Sequence, residues 1–175
     1  MIFAINDQLN DLGISFLEGV LESLDSSLAP IHKSIKASTI WDVESYCDHG
    51  EYLIGVGFCV MQRYLLDVLQ DLKIDQGLAR DLGPKSKEGV PVAKLIHSAG
   101  NYWKHEPEWH IWLESLKPQS QRTINDTLHG RNSADYPLSQ VLADLCGDKK
   151  LLLVNCIPYL KEWRQAVYIY TSKNV

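Results

Sequence analysis

Apolar residues recur at steps of three and four along most of the chain, the spacing of one face of an α-helix. The first such run covers residues 6–28. Pro30 follows it, and we expect the helix to have ended by then, because the residue before a proline is displaced from helical angles. The second run begins at a capping arrangement in residues 39–42 and ends at Leu72. At 1.5 Å per residue it predicts a helix about 45 Å long.

The second run contains Gly50, Gly55 and Gly57, and a glycine in a helix interior costs about 1 kcal/mol relative to alanine. A break near these glycines is therefore an alternative to one continuous helix. Gly50 and Gly57 lie on the apolar stripe itself. A missing side chain at these positions would let a second helix approach closely.

Prolines and polar segments divide the middle of the chain into shorter elements. Residues 73–88 lack helical periodicity and are predicted to form a loop, and a third helix begins near residue 90. Pro107 is expected to end this helix and to begin a new short one. The apolar residues of that short helix are Trp109, Trp112, Leu113 and Leu116.

The rest of the chain continues this alternation. Residues 117–136 are polar and turn-rich, with at most one capped helical turn at 123–126. Residues 137–145 predict a short helix stopped by Gly147. The last helix is predicted from an N-cap at Asp148 to about residue 170, with a kink or split at Pro158.

We find no convincing run with the period of two that strands require. The predicted fold is therefore all-α: a single domain, residues 1–175, packed as a helical bundle of four main helices plus two or three short ones. The length of 175 residues, with 45% hydrophobic and 22% charged residues, fits one ordinary globular domain and excludes a disordered chain.

Charge and hydropathy narrow the classes of partner. The formal charge of −5 argues against a broad nucleic-acid footprint and gives no strong DNA-binding signal, although a local basic patch is not excluded. No apolar run approaches the roughly 20 residues of a membrane span, and the first residues lack the pattern of a secretory signal. We therefore expect a soluble, cytoplasmic protein that does not bind a membrane.

No metal and no cofactor are predicted. The four cysteines stand at least ten residues apart, without a Cys-x-x-Cys pair or a histidine at zinc-finger spacing. The phosphate-binding Gly-x-x-x-x-Gly-Lys loop, the dinucleotide-binding glycine fingerprint and the Gly-x-Ser-x-Gly elbow are missing. Nucleotide hydrolases, Rossmann oxidoreductases and α/β-hydrolases are accordingly disfavoured.

The densest set of chemically interesting residues lies in the third helix. His97, Asn101 and His105 are spaced by four and form one stripe, with Lys104 to one side. One interpretation is that the stripe is the solvated face of an amphipathic helix. The other is that it lines an interface or a cleft, where imidazole exchanges protons near neutral pH and lysine stabilises negative charge on phosphate. Such a set would suit metal-independent cleavage of a phosphodiester.

Two further groups bear on these alternatives. Glu44, Asp48 and Glu51 share one side of the second helix. If that side faced His97 and His105, the carboxylates and imidazoles would orient one another or bind a divalent ion, although the spacing gives a metal site little support; otherwise the carboxylates are exposed to water. Four aromatic residues form either the main core anchor or an association surface. We favour the core for the tryptophans and an interface for the tyrosine, and the aromatic excess predicts a homodimer. These four residues are Tyr102, Trp103, Trp109 and Trp112.

The segment Ala99-Gly-Asn-Tyr-Trp-Lys-His105, after a long helix and a loop, resembles the HEPN group of small bacterial helical-bundle proteins. Many of that group are ribonuclease toxins or abortive-infection proteins of defence systems and mobile elements. Their usual motif places an Arg, followed by a polar residue, about one helical turn before a His, and paired subunits bring two motifs into one cleft. His105 and Asn101 match the His and the polar residue. Gly100 stands where the Arg is expected, with Lys94 or Lys104 as a substitute charge.

The resemblance implies a dimeric, cytoplasmic protein that cleaves RNA or binds RNA or nucleotide. His105 would be the general acid or base, Asn101 would orient it, Lys104 would hold phosphate, and His97 would belong to the same site. The alternative hypothesis is a non-catalytic dimeric interaction module. Its aromatic cluster and glycine-bearing helix would bind a partner protein, a peptide or a small apolar ligand.

Overall fold

Two long helices, α1 (Leu12–Ala37) and α2 (Ile40–Leu72), pack side by side and form the centre of the structure. The structure is a computed structural model that describes residues 2–5, 8–38, 40–109, 116–129, 135–147 and 149–173. The predicted all-α bundle is confirmed. The other helices in the described ranges are α3 (Gln76–Arg80), α4 (Val92–Trp109), α5 (Pro118–Leu128), α6 (Pro137–Cys146) and α7 (Ile157–Lys173).

The long helix α2 is continuous, so the alternative of a break at its glycines is wrong. Gly57 lies against Leu153, where an added Cβ would stand 2.6 Å from a leucine methyl carbon, so it marks a close approach as predicted. Gly55 was not singled out by the apolar stripe, yet a Cβ there would overlap the indole of Trp103 on α4. Gly50 makes only an ordinary contact, 3.7 Å from Ile31.

Two predicted helix ends are wrong, because both helices continue through a proline. α1 passes Pro30 and reaches Ala37, and the buried side chains of Leu28 and Ile31 on either side hold this stretch in the core. α4 passes Pro107 and ends at Trp109, whose side chain is buried. Tertiary packing in both places outweighs the backbone hydrogen bond that a proline removes. Of the short helix predicted after Pro107, Trp112 and Leu113 lie outside the described residues.

The N-terminus differs from the prediction of a helix that starts at residue 6. Strands β1 (Ile2–Ile5) and β2 (Gln8–Asp11) form an antiparallel hairpin, and α1 begins directly after it. Strands of four residues are too short to show a clear period of two. The Asp11 carboxylate ends the hairpin and caps α1 by accepting from the backbone N–H of Ile14 at 3.2 Å.

Two polar segments predicted as loops contain helices. The interval 73–88 includes α3, whose first turn is capped by Asp75. The interval 117–136 includes the whole of α5, which buries Thr123 and Thr127 rather than large apolar side chains. A buried face made of threonine leaves no apolar periodicity, so sequence reasoning predicted at most one helical turn there.

The C-terminal elements agree more closely with expectation. α6 is followed by Gly147 with a φ of +57°, as the predicted stop requires. A 3₁₀ turn at Leu153–Cys156 precedes α7, and Pro158 lies in the first turn of α7, where its missing N–H costs no helical bond. The predicted split at this proline is confirmed. The helix therefore does not begin at residue 148, which itself lies outside the described residues.

Buried apolar side chains from α1, α2, α4, α6 and α7 form one core. The indole of Trp163 is fully buried and donates to the carbonyl oxygen of Ala79 at 2.8 Å, which ties α7 to α3. One stretch of α2, residues 42–72, is long and apolar enough to cross a membrane, with a mean hydropathy of 1.4 in its best window. In the structure 56% of that window is buried inside the bundle.

We expect Gly55→Ala to lower the free energy of unfolding by about 1–3 kcal/mol, because the new methyl group displaces Trp103 from its packed position. Gly19→Ala is the matched control: Gly19 is exposed in the interior of α1 with nothing within 4 Å, so alanine should stabilise by about 0.5–1 kcal/mol. Urea unfolding followed by circular dichroism measures both. Equal stability of the two variants would contradict the close packing of Trp103 on α2.

Candidate functional site

The polar residues of α4 meet α2 through the side chain of Gln62. The Gln62 amide is buried, and its nitrogen lies 3.0 Å from Nδ1 of His97 and 2.8 Å from the Asn101 side-chain oxygen, to which it donates. Its oxygen accepts from the Lys104 ammonium at 2.6 Å. Three of the four predicted catalytic residues are thus brought together, at a contact between two helices.

The pattern of contacts disfavours a charged His97 ring. The Lys104 ammonium can only donate, so the Gln62 oxygen must face it, and the Gln62 nitrogen faces His97, whose backbone oxygen it also contacts at 3.2 Å. The amide nitrogen of Asn101 lies 3.0 Å from the other ring nitrogen. Both ring nitrogens therefore lie beside amide nitrogens, and an imidazolium, which only donates, would find no acceptor in either direction. A neutral ring can accept a hydrogen bond from one of them.

Electrostatics favour the same state. Burial of the ring, together with the nearby charges of Arg80 and Lys104, lowers the pKa of His97 to about 4. His97 is consequently neutral at pH 7 and held from both sides. Its geometry suits positioning of Gln62 and Asn101 better than proton transfer to a ligand.

His105 lies in different surroundings, two turns further along α4. Its side chain is 49% exposed, and Nδ1 stands 3.3 Å from a carboxylate oxygen of Glu108. This contact favours the tautomer with the proton on Nδ1, which leaves Nε2 as the basic nitrogen. Sequence reasoning missed Glu108, although a carboxylate three residues after a histidine on a helix was visible as a candidate partner.

His105 and Asn101 line one open cleft of about 710 Å³ between α4 and α5. Lys117 and Ser120, from the start of α5, line its other side together with Thr123. No side chain of the described residues caps the N-terminus of α5. Because Pro118 at its first position has no N–H, the N–H groups of Gln119 and Ser120, which line the cleft, are the ones that would meet a ligand there. We refer to this site as the His105 cleft.

The predicted stripe of histidines is therefore divided. His97 is not among the described residues that line the His105 cleft, and the two imidazoles do not share a recess within one chain. Lys94, the other substitute charge, pairs with Asp126 of α5 at 3.3 Å. The interpretation of the stripe as a solvated face is wrong for His97, whose ring is partly buried against Gln62. It holds for His105, whose side chain is exposed.

The acidic stripe of α2 serves other purposes than orienting histidine. The carboxylate of Glu51 accepts from the backbone N–H groups of Leu138 at 2.7 Å and Ser139 at 2.9 Å, and thus caps α6. Burial raises the pKa of Glu51, although these hydrogen bonds act in the opposite direction. Glu44 and Asp48 line a second cleft of about 1000 Å³, which they share with Tyr102, Trp103 and Lys104.

The aromatic cluster is divided as well. Trp109 is buried, as predicted, and the Tyr102 ring packs edge-on against it with centroids 5.2 Å apart. Trp103 is half-buried and packs against the core: it rests on Gly55, and the exposed ring of Tyr52 lies 5.3 Å from it. Trp112 lies outside the described residues.

Comparisons of the chain with protein-family models, with curated proteins and with solved structures find no significant match. The described residues contain no group of three or more His, Cys, Asp or Glu side chains placed to hold a metal ion. Inferences about function therefore start from the geometry of the two clefts.

The state of His97 makes stability depend on pH. Its pKa is about 4 in the folded chain and about 6.5 when unfolded, so between these values the unfolded chain binds more protons and the folded state loses stability as the pH falls. We expect a loss of about 1–2 kcal/mol from pH 7.5 to pH 5 that His97→Asn lacks, reduced by partial solvent screening. Urea titrations at both pH values measure it. His49→Asn, at an exposed position of α2, should retain the loss; an identical pH dependence in both variants would contradict the assignment.

Proposed function

We propose that the His105 cleft binds RNA and cleaves its phosphodiester bonds. The observation that carries the proposal is the convergence of three groups on one open cleft: the His105 imidazole, the Lys117 ammonium and the uncapped N-terminus of α5. A lysine and free helical N–H groups together attract a phosphate, and an imidazole beside them is placed to move a proton.

In the proposed step, Nε2 of His105 takes the proton of the ribose 2′-hydroxyl. The 2′-oxygen attacks the adjacent phosphorus, the bond to the 5′-oxygen breaks, and that oxygen takes a proton from water. The products are a 2′,3′-cyclic phosphate and a 5′-hydroxyl end. Glu108 stabilises the imidazolium that forms, and Lys117 stabilises negative charge on the phosphate.

The contacts that Gln62 makes between α2 and α4 support the proposed role of His105, because they orient a neighbouring side chain of the cleft. Gln62 donates to Asn101, which lines the cleft beside His105. Because Gln62 is itself oriented by Lys104, the side chain of Asn101 presents its amide in one direction. The Asn and Lys of the motif are thereby assigned to positioning, and His105 to chemistry. The resemblance to the HEPN group supports the same choice of His105.

We expect His105→Ala to reduce cleavage of a single-stranded RNA oligonucleotide by at least about 100-fold, because general acid–base catalysis typically contributes that much. Cleavage should persist in EDTA and leave a 2′,3′-cyclic phosphate, detected by mass spectrometry. His49→Ala is the matched control and should retain full activity. Lys117→Ala should weaken RNA binding with a smaller effect on the cleavage rate. Unchanged cleavage by His105→Ala, or no cleavage by the purified wild-type chain, would overturn the proposal.

A second copy of the chain is the partner that we propose for the outer face of α1. Leu12, Phe16 and Val20 recur every four residues along that face, and Phe16 is 76% exposed. These three side chains line one wall of a mainly apolar groove of about 480 Å³ between α1 and α2. A projecting ring and a groove on the same surface are self-complementary about a two-fold axis, in which each copy inserts its Phe16 into the groove of the other. The exposed Arg63–Asp67 pair at the rim supplies both signs of charge for the same arrangement.

We expect Phe16→Glu to convert the protein to a monomer at concentrations where the wild-type chain is a dimer, since the substitution would place a charge in an apolar groove. Light scattering coupled to size-exclusion chromatography measures the mass. Ile169→Glu, on the exposed side of α7, is the control and should leave the dimer intact. A wild-type chain that is still a monomer at about 100 μM, where even a weak association is populated, would contradict the proposal.

A further inference from the structure

We propose that the second cleft, lined by Tyr52, Trp103, Glu44 and Asp48, binds an arginine side chain carried by another polypeptide. This acid–aromatic cleft, as we call it, lies between α2, α4 and the start of α6. Its volume of about 1000 Å³ is the largest of the three clefts described above. The inference concerns a different surface from the His105 cleft and does not depend on ribonuclease activity.

Aromatic rings form a preorganised wall of the acid–aromatic cleft. The Trp103 indole is backed by Gly55, which leaves no room for it to retreat toward α2. Tyr52 packs against it nearly at right angles, with an interplanar angle of 73°, and is itself 60% exposed. The exposed Tyr52 ring beside the half-buried indole offers a face on which a guanidinium or ammonium group is attracted by the π-electrons.

Carboxylates set the charge of the ligand. Glu44 and Asp48 stand one turn apart on α2 and line the cleft beside these rings. Tyr136, at the start of α6, lines the same cleft as Asp48. Lys104 also lines the cleft, but its ammonium is bound to the Gln62 oxygen at 2.6 Å. The excess of negative charge excludes RNA from this surface and favours a cation.

The shape of the cleft favours a cationic side chain on a polypeptide over a free small cation. The cleft is open to solvent, and its volume of about 1000 Å³ leaves room for part of a main chain beside the arginine side chain. Arginine fits both parts of the lining, because its planar guanidinium stacks on aromatic faces and binds carboxylates through two parallel N–H groups. Lysine offers neither the plane nor the paired donors, so arginine should bind more tightly.

The test uses the full-length chain and the capped peptide Ac-Gly-Arg-Gly-Arg-Gly-NH₂, with calorimetry at low salt. Two analogues separate the contributions of charge and shape. Citrulline has the shape of arginine but no charge, and lysine has the charge without the planar group. We expect the arginine peptide to bind at least about 10-fold more tightly than the citrulline peptide, and more weakly as salt is raised. Spermidine serves as the free small cation and should bind more weakly than the arginine peptide.

Two substitutions locate the binding. Tyr52→Ala removes an exposed ring and should weaken the arginine peptide by about 3-fold to 5-fold, the range of a cation–π contact at an exposed site. Glu44→Gln should weaken it by about 3-fold, with a reduced salt dependence. Ile169→Ala on α7 and Glu22→Gln on α1, both at exposed positions, are the matched controls and should bind as the wild type does.

The outcomes are distinct from those of the ribonuclease test. Tyr52→Ala should leave RNA cleavage unchanged, so failure of either proposal leaves the other standing. Equal binding of the arginine and citrulline peptides, or equal binding by Tyr52→Ala and the wild type, would overturn the inference. Tighter binding of spermidine than of the arginine peptide would overturn it as well, because the occupant would then be a free organic cation.

Discussion

The arrangement of the bundle depends on carboxylates of the long central helices that bind the N-terminal N–H groups of other elements. Asp25 of α1 is buried and accepts from the backbone N–H groups of Leu153 and Val154, at 2.7 and 3.0 Å. Glu51 of α2 caps α6 in the same way. A buried carboxylate is costly unless it is hydrogen-bonded, and the first N–H groups of a helix need acceptors. Each contact satisfies both requirements at once, and so fixes where a later element begins relative to the central pair.

Asp11 adds a third such contact at the hairpin. Its side chain is 1% exposed and binds the Tyr64 hydroxyl at 2.6 Å and the Arg164 guanidinium at 2.7 Å, besides capping α1. Burial alone would raise the pKa of Asp11, but these hydrogen bonds and the charge of Arg164 outweigh it and lower the pKa. One carboxylate thus joins α1, α2 and α7. Hydropathy patterns carry no trace of such contacts, because they are made between residues far apart in the chain.

Apolar periodicity was sufficient to predict the helical class, the unbroken length of α2 and the position of α6, since large apolar side chains form the buried faces there. Apolar periodicity did not predict the structure where another interaction determines the backbone conformation. Pro30 stays helical because its neighbours are packed, and α5 went unrecognised because its buried face is threonine. The candidate site shows the same division. His97, Asn101 and Lys104 were found from their spacing on α4, whereas Gln62, 35 residues before His97, became visible only through tertiary packing.

The contact of Gln62 with Lys104 and Asn101 explains how α4 contributes residues to two clefts with different linings. Lys104 lines the acid–aromatic cleft and holds the Gln62 oxygen, while the Gln62 nitrogen holds Asn101, which lines the His105 cleft. A continuous chain of hydrogen bonds therefore connects the two surfaces through the α2–α4 contact. The Gln62 nitrogen also donates to the backbone carbonyl of His97 at 3.2 Å, so the amide is held from both ends. The residues spaced by four on α4 therefore do not form a single catalytic stripe. His97 and Asn101, together with Lys104, make one buried contact with Gln62, and an open cleft lies on either side of it.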